Sequence, residues 1–126
     1  MTSTAPTGLA ACLKQGTRKS HRKIEKVRFI RGFLRGTVDL PSYRLMMIGL
    51  YHLYRELEAA VERHADHRLL APLYFPEVCR RQAIERDLLV LGALEPETGD
   101  VPPPSPATQA YAERLRTLAE IEPARL

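Results

Sequence analysis

Tyr43-Arg-Leu-Met-Met-Ile-Gly-Leu-Tyr-His-Leu-Tyr-Arg-Glu-Leu-Glu-Ala-Ala-Val61 is the stretch that decides the fold. Tyr43, Met46, Met47, Leu50, Tyr54, Leu57 and Val61 recur three or four apart, the spacing of one face of an α-helix. Arg55, Glu58 and Glu62 mark its outer, solvated face. Asp39-Leu-Pro41 supplies the start, with Asp39 or Leu40 near the cap and Pro41 in the first turn. The helix is expected to run to about His64.

Working upstream, Leu9, Cys12, Leu13, Gly16, Ser20, Ile24 and Val27 draw a second helical stripe, with a break expected near Arg22 where the charge is dense. Val27 to Gly36 reads as a short helix with Phe29, Ile30 and Phe33 inward and Gly36 as its stop. Downstream, Leu70-Ala-Pro-Leu-Tyr-Phe-Pro76 reads as an extended connector, because proline biases the residue before it out of the helical region. A helix is expected from Pro76 or Glu77 to Leu91, with Val78, Ile84, Leu88 and Leu91 on its apolar side and Gly92 ending it. Residues 95–106 hold Pro96, Pro102, Pro103, Pro104 and Pro106, which excludes helix or central strand. Ser105 and Pro106 then open a last helix reaching about Glu120. No internal repeat and no alternating pattern occurs. The fold class is all-α.

The 126 residues suffice for one domain, with 44% hydrophobic and 27% charged residues, the composition of a globular chain. No apolar run approaches the ~20 residues of a membrane span. The first eight residues read as a disordered N-terminus without the basic and apolar segments of a signal peptide. Cys12 and Cys79 cannot form a disulfide framework or a four-ligand zinc site, and a reduced, cytoplasmic location is expected. Charge is divided unevenly. Through Gly36 there are nine Lys/Arg against Glu25 alone, a net +8, whereas the remainder is −4. An anionic ligand or partner near the start would explain this, and so would a solvated basic helix.

His21 is the residue with chemical possibilities. Lys14, Thr17, Arg18, His21 and Glu25 lie three or four apart and share a helix face. Lys14 stands two turns before His21, on the order of 10 Å along the axis. A neutral imidazole there could ligate a metal at the centre of a flat group whose rim carboxylates meet the two cations. Glu25 could fix the ring through its other nitrogen. Spacing alone equally suits an exposed histidine on a basic helix. His64 and His67 lack a third ligand nearby. His52 suits a packed, hydrogen-bonded core histidine, and Met46-Met47 suits core filling. Phosphate-binding and hydrolase motifs are absent. Phe29 and Phe33 among the basic residues fit packing better than a nucleic-acid face.

With these residues assembled, the sequence resembles the biliverdin-producing heme oxygenase family. The likeness runs through Leu13-Lys-Gln-Gly-Thr-Arg-Lys-Ser-His21 with Glu25, Phe29-Ile-Arg-Gly-Phe-Leu-Arg-Gly36 and Gly49-Leu-Tyr-His-Leu-Tyr54. It continues in Leu70-Ala-Pro-Leu-Tyr-Phe-Pro-Glu77, Pro106-Ala-Thr-Gln-Ala-Tyr111 and Glu122-Pro123. Nearly the whole chain takes part, in order.

The resemblance implies a heme-oxygenase-like helical bundle over residues 9–126. It implies heme b as substrate and cofactor, O2 as co-substrate, and electrons from an external reductase or ferredoxin. His21 matches the proximal iron ligand and Glu25 its accompanying carboxylate. Lys14 and Arg18 match the basic partners of the propionates, and Thr17, Ile24, Ile30, Phe33, Tyr43, Met46 and Leu50 match positions lining the heme. Tyr54 and Tyr111 match tyrosines of the distal water network. The family's glycine-rich distal run, Gly-Asp-Leu-Ser-Gly-Gly-Gln, is missing before Leu126, so the likeness is to the N-terminal half. Two expectations follow: poor turnover by this chain alone, down to a non-catalytic heme- or partner-binding module, and self-association through apolar residues including Phe33, Met46, Met47 and Leu50. No nucleic-acid partner and no membrane span are expected.

Overall fold

A computed structural model describes residues 8–126, so the expected disorder of the first residues lies outside the described part apart from Gly8. Five α-helices and three short 3-10 turns account for the regular structure, with no strand among the described residues. The chain divides into two compact units, one ending at Asp39 and the other spanning Leu40–Leu126.

The first unit contains α1 (Leu9–Glu25) and α2 (Arg28–Leu34). The expected break near Arg22 does not occur. Long unbranched Lys and Arg side chains are good helix formers, and Arg22 and Lys23 sit in the last turn, where cations favour the helix dipole. α1 ends only at Lys26, whose N–H bonds back to Lys23, and Val27 leaves in an extended conformation. Gly36 follows α2 with φ 68°, the left-handed conformation expected of the stop. Neither helix has a fully buried residue. Phe29 and Ile30 are half-buried as expected, whereas Phe33 is 44% exposed.

The second unit is built on α3 (Leu40–Arg63), which packs against α4 (Arg81–Val90) and α5 (Pro106–Ile121). Met47, Ile48, Ile84, Leu88 and Ala93 form its core, and Tyr43, Met46, Leu50, Tyr51 and Tyr54 pack against it. The long helix of the sequence reading is therefore the scaffold. α3 and α5 approach closely where Gly49 meets Thr108; a Cβ on Gly49 would stand 3.3 Å from Thr108 Oγ1. Gly92, at φ 61°, terminates α4, and Arg44 Nε donates to Leu91 O at 2.6 Å to hold that end. Ser105 caps α5, its hydroxyl accepting from Thr108 N.

Two expectations are corrected here. The 70–76 connector is not extended throughout: Ala71–Leu73 and Pro76–Val78 form 3-10 turns, each with proline in a first position that needs no N–H partner. α4 consequently begins at Arg81 rather than Pro76, and Val78 is 59% exposed instead of facing the core. The new start is fixed by Glu58 of α3, whose Oε1 accepts from the N–H groups of both Arg80 and Arg81. A carboxylate from another helix thus serves as the cap.

The exposed apolar set also differs from expectation. Met47 is buried, and Met46 and Leu50 are half-buried on the core, because Ile84 and Leu88 of α4 and Ala93 beyond it belong to the same cluster. Leu9, Leu13, Ile24, Val27, Phe33 and Leu34 are the large apolar residues left exposed among the described residues of the first unit.

Candidate functional site

α1 carries the candidate ligand face. Its uninterrupted 17 residues keep Lys14, Thr17, Arg18, His21 and Glu25 on one side, all exposed. Thr17 Oγ1 donates to Leu13 O at 2.7 Å, which ties the hydroxyl to the backbone. Among the described residues the His21 ring has no hydrogen bond, ion pair or ring contact, and Glu25 does not reach it. Beside this face runs the apolar stripe of Leu9, Leu13 and Ile24.

The side of α1 that adjoins this face at Arg18 is cationic. Arg18, Lys19, Arg22, Lys23 and Lys26 line one continuous surface with Gln15 and without an acid. Ile30 lies half-buried and Phe33 exposed on α2.

In the second unit, Tyr43, Met46, Leu50 and Tyr54 share one stripe of α3, each partly buried against the core. Tyr111, on α5, is 56% exposed. The first unit therefore brings together His21, the two cations and Glu25, and the second brings together the α3 residues. His64 and His67 meet edge-on with ring centroids 6.5 Å apart, and no group of three metal-ligating side chains exists among the described residues. His52 is the expected core histidine, buried and with Nε2 2.7 Å from Pro102 O.

Cys79 lies at the mouth of a cleft with Glu58 and Glu62. Desolvation first, then these two carboxylates, push its thiol above the ordinary value. No pattern in the sequence announced this grouping, because the carboxylates come from a helix sixteen or more residues away in the chain.

The donor chemistry of α1 fits a flat metal-centred group with an anionic rim. An imidazole without a competing partner can ligate, two cations on the same face can meet carboxylates, and the flanking stripe is apolar.

The family model for heme oxygenase matches residues 7–126. This chain belongs to the heme oxygenase family. It is 37% identical over 117 residues to the heme oxygenase of Rhodella violacea, covering 93% of this chain and 49% of that protein. Human heme oxygenase 1 is 37% identical over 119 residues, with 94% of this chain and 41% of the relative covered. The crystal structure of Synechocystis heme oxygenase-1 in complex with heme superposes with a TM-score of 0.81 at 37% identity, over 91% of this chain and 51% of that one. Heme oxygenase-2 of the same organism, in complex with heme and NO, gives a TM-score of 0.85 at 35% identity, over 94% and 48%. The chain spans about half the length of these heme oxygenases. No helix of the described residues is long and apolar enough to cross a membrane.

Proposed function

We propose that this chain supplies the proximal, histidine-bearing part of a heme oxygenase, which cleaves heme with O2 to biliverdin, carbon monoxide and ferrous iron. The observation that carries the proposal is the His21 face of α1 in a chain matched to this family over residues 7–126. His21 offers a ring nitrogen to the heme iron, and Glu25, one turn on and not bonded to the ring in the described structure, turns to accept from the other nitrogen when heme is bound. Lys14 and Arg18 pair with the propionates, while Thr17, Ile24, Ile30 and Phe33 offer apolar surface. On the second unit, Tyr43, Met46 and Leu50 offer apolar surface in the same way, and the Tyr54 and Tyr111 hydroxyls order water for proton delivery. Heme is at once substrate and the group at which O2 is reduced, with electrons drawn from an external reductase or ferredoxin. The cationic side of α1 suits docking of an acidic redox protein.

Ferric heme, O2 and a reductant are supplied to the protein in the presence of catalase, and biliverdin is followed by its absorbance. Heme-dependent biliverdin formation supports the activity. Histidine-ligated heme without biliverdin would reduce the chain to a heme-binding module. No heme binding at all would remove the proposal.

A further inference from the structure

No residue of α1 is buried. At 3.6 residues per turn, Leu9, Leu13 and Ile24 fall on one stripe of the helix, and all three are more than half exposed. Val27, just beyond the last turn, is 49% exposed. The same spacing sets Lys19 and Lys23 along one edge of the stripe and Lys14 along the other. Glu25, the one acid of α1, falls away from it. Leu9, Leu13, Val27, Lys19 and Lys23 have no part in the heme reading.

The chemistry of this surface narrows the partner. Nucleic acid or an acidic protein would use the cations but has no use for a stripe of bare leucine and isoleucine. A protein groove that takes up an amphipathic helix grips large anchors at every turn. Here Gly16 and Ser20 hold the two middle turns of the stripe, so the anchors are interrupted. An anionic bilayer supplies both halves of the match. Fluid acyl chains close around large and small residues alike, and the lysines reach headgroup charge while their stems stay on the apolar side.

We propose that α1 lies in the surface of an anionic lipid bilayer, with Leu9, Leu13, Ile24 and Val27 among the acyl chains and Lys14, Lys19 and Lys23 at the anionic headgroups. The helix lies along the membrane and does not cross it, in keeping with its length of about 25 Å and its charge. Arg18 and Arg22, on the side away from the stripe, stay in water and remain open to an acidic protein. The attachment is a property of the heme-free chain and stands whether or not His21 ligates iron.

The test is co-sedimentation of the full, heme-free chain with vesicles of phosphatidylcholine alone and of an equal mixture of phosphatidylcholine and phosphatidylglycerol. Binding to the anionic vesicles should be at least tenfold tighter, and added salt should weaken it. Leu13→Gln should weaken it at least fivefold, and so should Lys19→Gln with Lys23→Gln, each with the circular dichroism of the parent. Leu9→Gln replaces Leu13→Gln if that variant does not fold. Val90→Gln, which removes an equally exposed apolar residue from α4, should change nothing. Three results would overturn the proposal. They are equal binding to both vesicles, anionic binding untouched by the leucine variants, and a loss in Val90→Gln as large as that in Leu13→Gln. Polyglutamate held as tightly as anionic vesicles, and unaffected by Leu13→Gln, would assign the surface to acidic proteins instead.

Discussion

Glu58→Ala should loosen the start of α4 more than any other single change on the solvated side of α3. The carboxylate accepts from two backbone N–H groups, those of Arg80 and Arg81, which head a helix with no cap of its own. Losing a side-chain cap costs about 0.5–2 kcal/mol. A hydrogen bond to a charged group contributes about 1.5–3 kcal/mol where it is shielded. Arg81 is half-buried and Arg80 exposed, so only part of the second bond counts, and the sum is about 2 kcal/mol. For a chain of this size that corresponds to a fall in Tm of roughly 8 °C. Urea and thermal unfolding followed by circular dichroism measure it. Glu58→Gln keeps a carbonyl oxygen in place and should lose about half as much. Glu62→Ala removes a carboxylate from the same cleft that makes no such bond and should stay within about 0.5 kcal/mol. A Glu58→Ala variant no less stable than Glu62→Ala would refute the cross-helix cap.

Leu88 is 0% exposed at the centre of the core, so Leu88→Ala should cost about 3 kcal/mol in urea unfolding, whereas Val90→Ala, at an 86% exposed position, should cost almost nothing. Ser105→Ala removes the hydroxyl that accepts from Thr108 N and should cost about 1 kcal/mol, read in the same assay. The raised Cys79 thiol holds less thiolate at neutral pH than an ordinary cysteine. In a Cys12→Ser background, the pH profile of its alkylation should therefore move to lower pH when Glu62→Gln removes one of the raising charges; an unmoved profile would contradict that cause.

The helices were legible where periodicity and punctuation agreed. Tyr43 to Val61 declared α3, Ser105-Pro106 opened α5, and Gly36 and Gly92 closed their helices because only a left-handed residue continues the chain there. The start of α4 was hidden for a physical reason. Its cap comes from Glu58, more than twenty residues earlier, and short-range patterns carry no record of a bond across that distance. The same holds for Arg55, Arg116 and Glu56, which meet only when α5 lies on α3. Charge density misled at Arg22: a crowded basic face looks like a break but is compatible with helix when the cations fall at the C-terminal end. Met46, Met47 and Leu50 were read as core residues and also as residues left bare, and they pack in one cluster with Ile84 and Leu88 of α4 and with Ala93. His21 could be placed on a ligand face by spacing, but spacing could not separate a ligand from a solvated histidine; family membership is what favours the first.

Heme titration of the wild-type chain beside His21→Ala tests the central claim most directly. Ferric heme should give the wild type a histidine-ligated absorption band with one-to-one stoichiometry. His21→Ala should lose that band while its circular dichroism stays that of the parent, because His21 is exposed and bonded to nothing in the described structure. Added imidazole, which can take the vacated ligand position, should restore a nitrogen-ligated spectrum. An identical heme spectrum in wild type and His21→Ala would contradict the assignment of the iron ligand, and with it the account of α1.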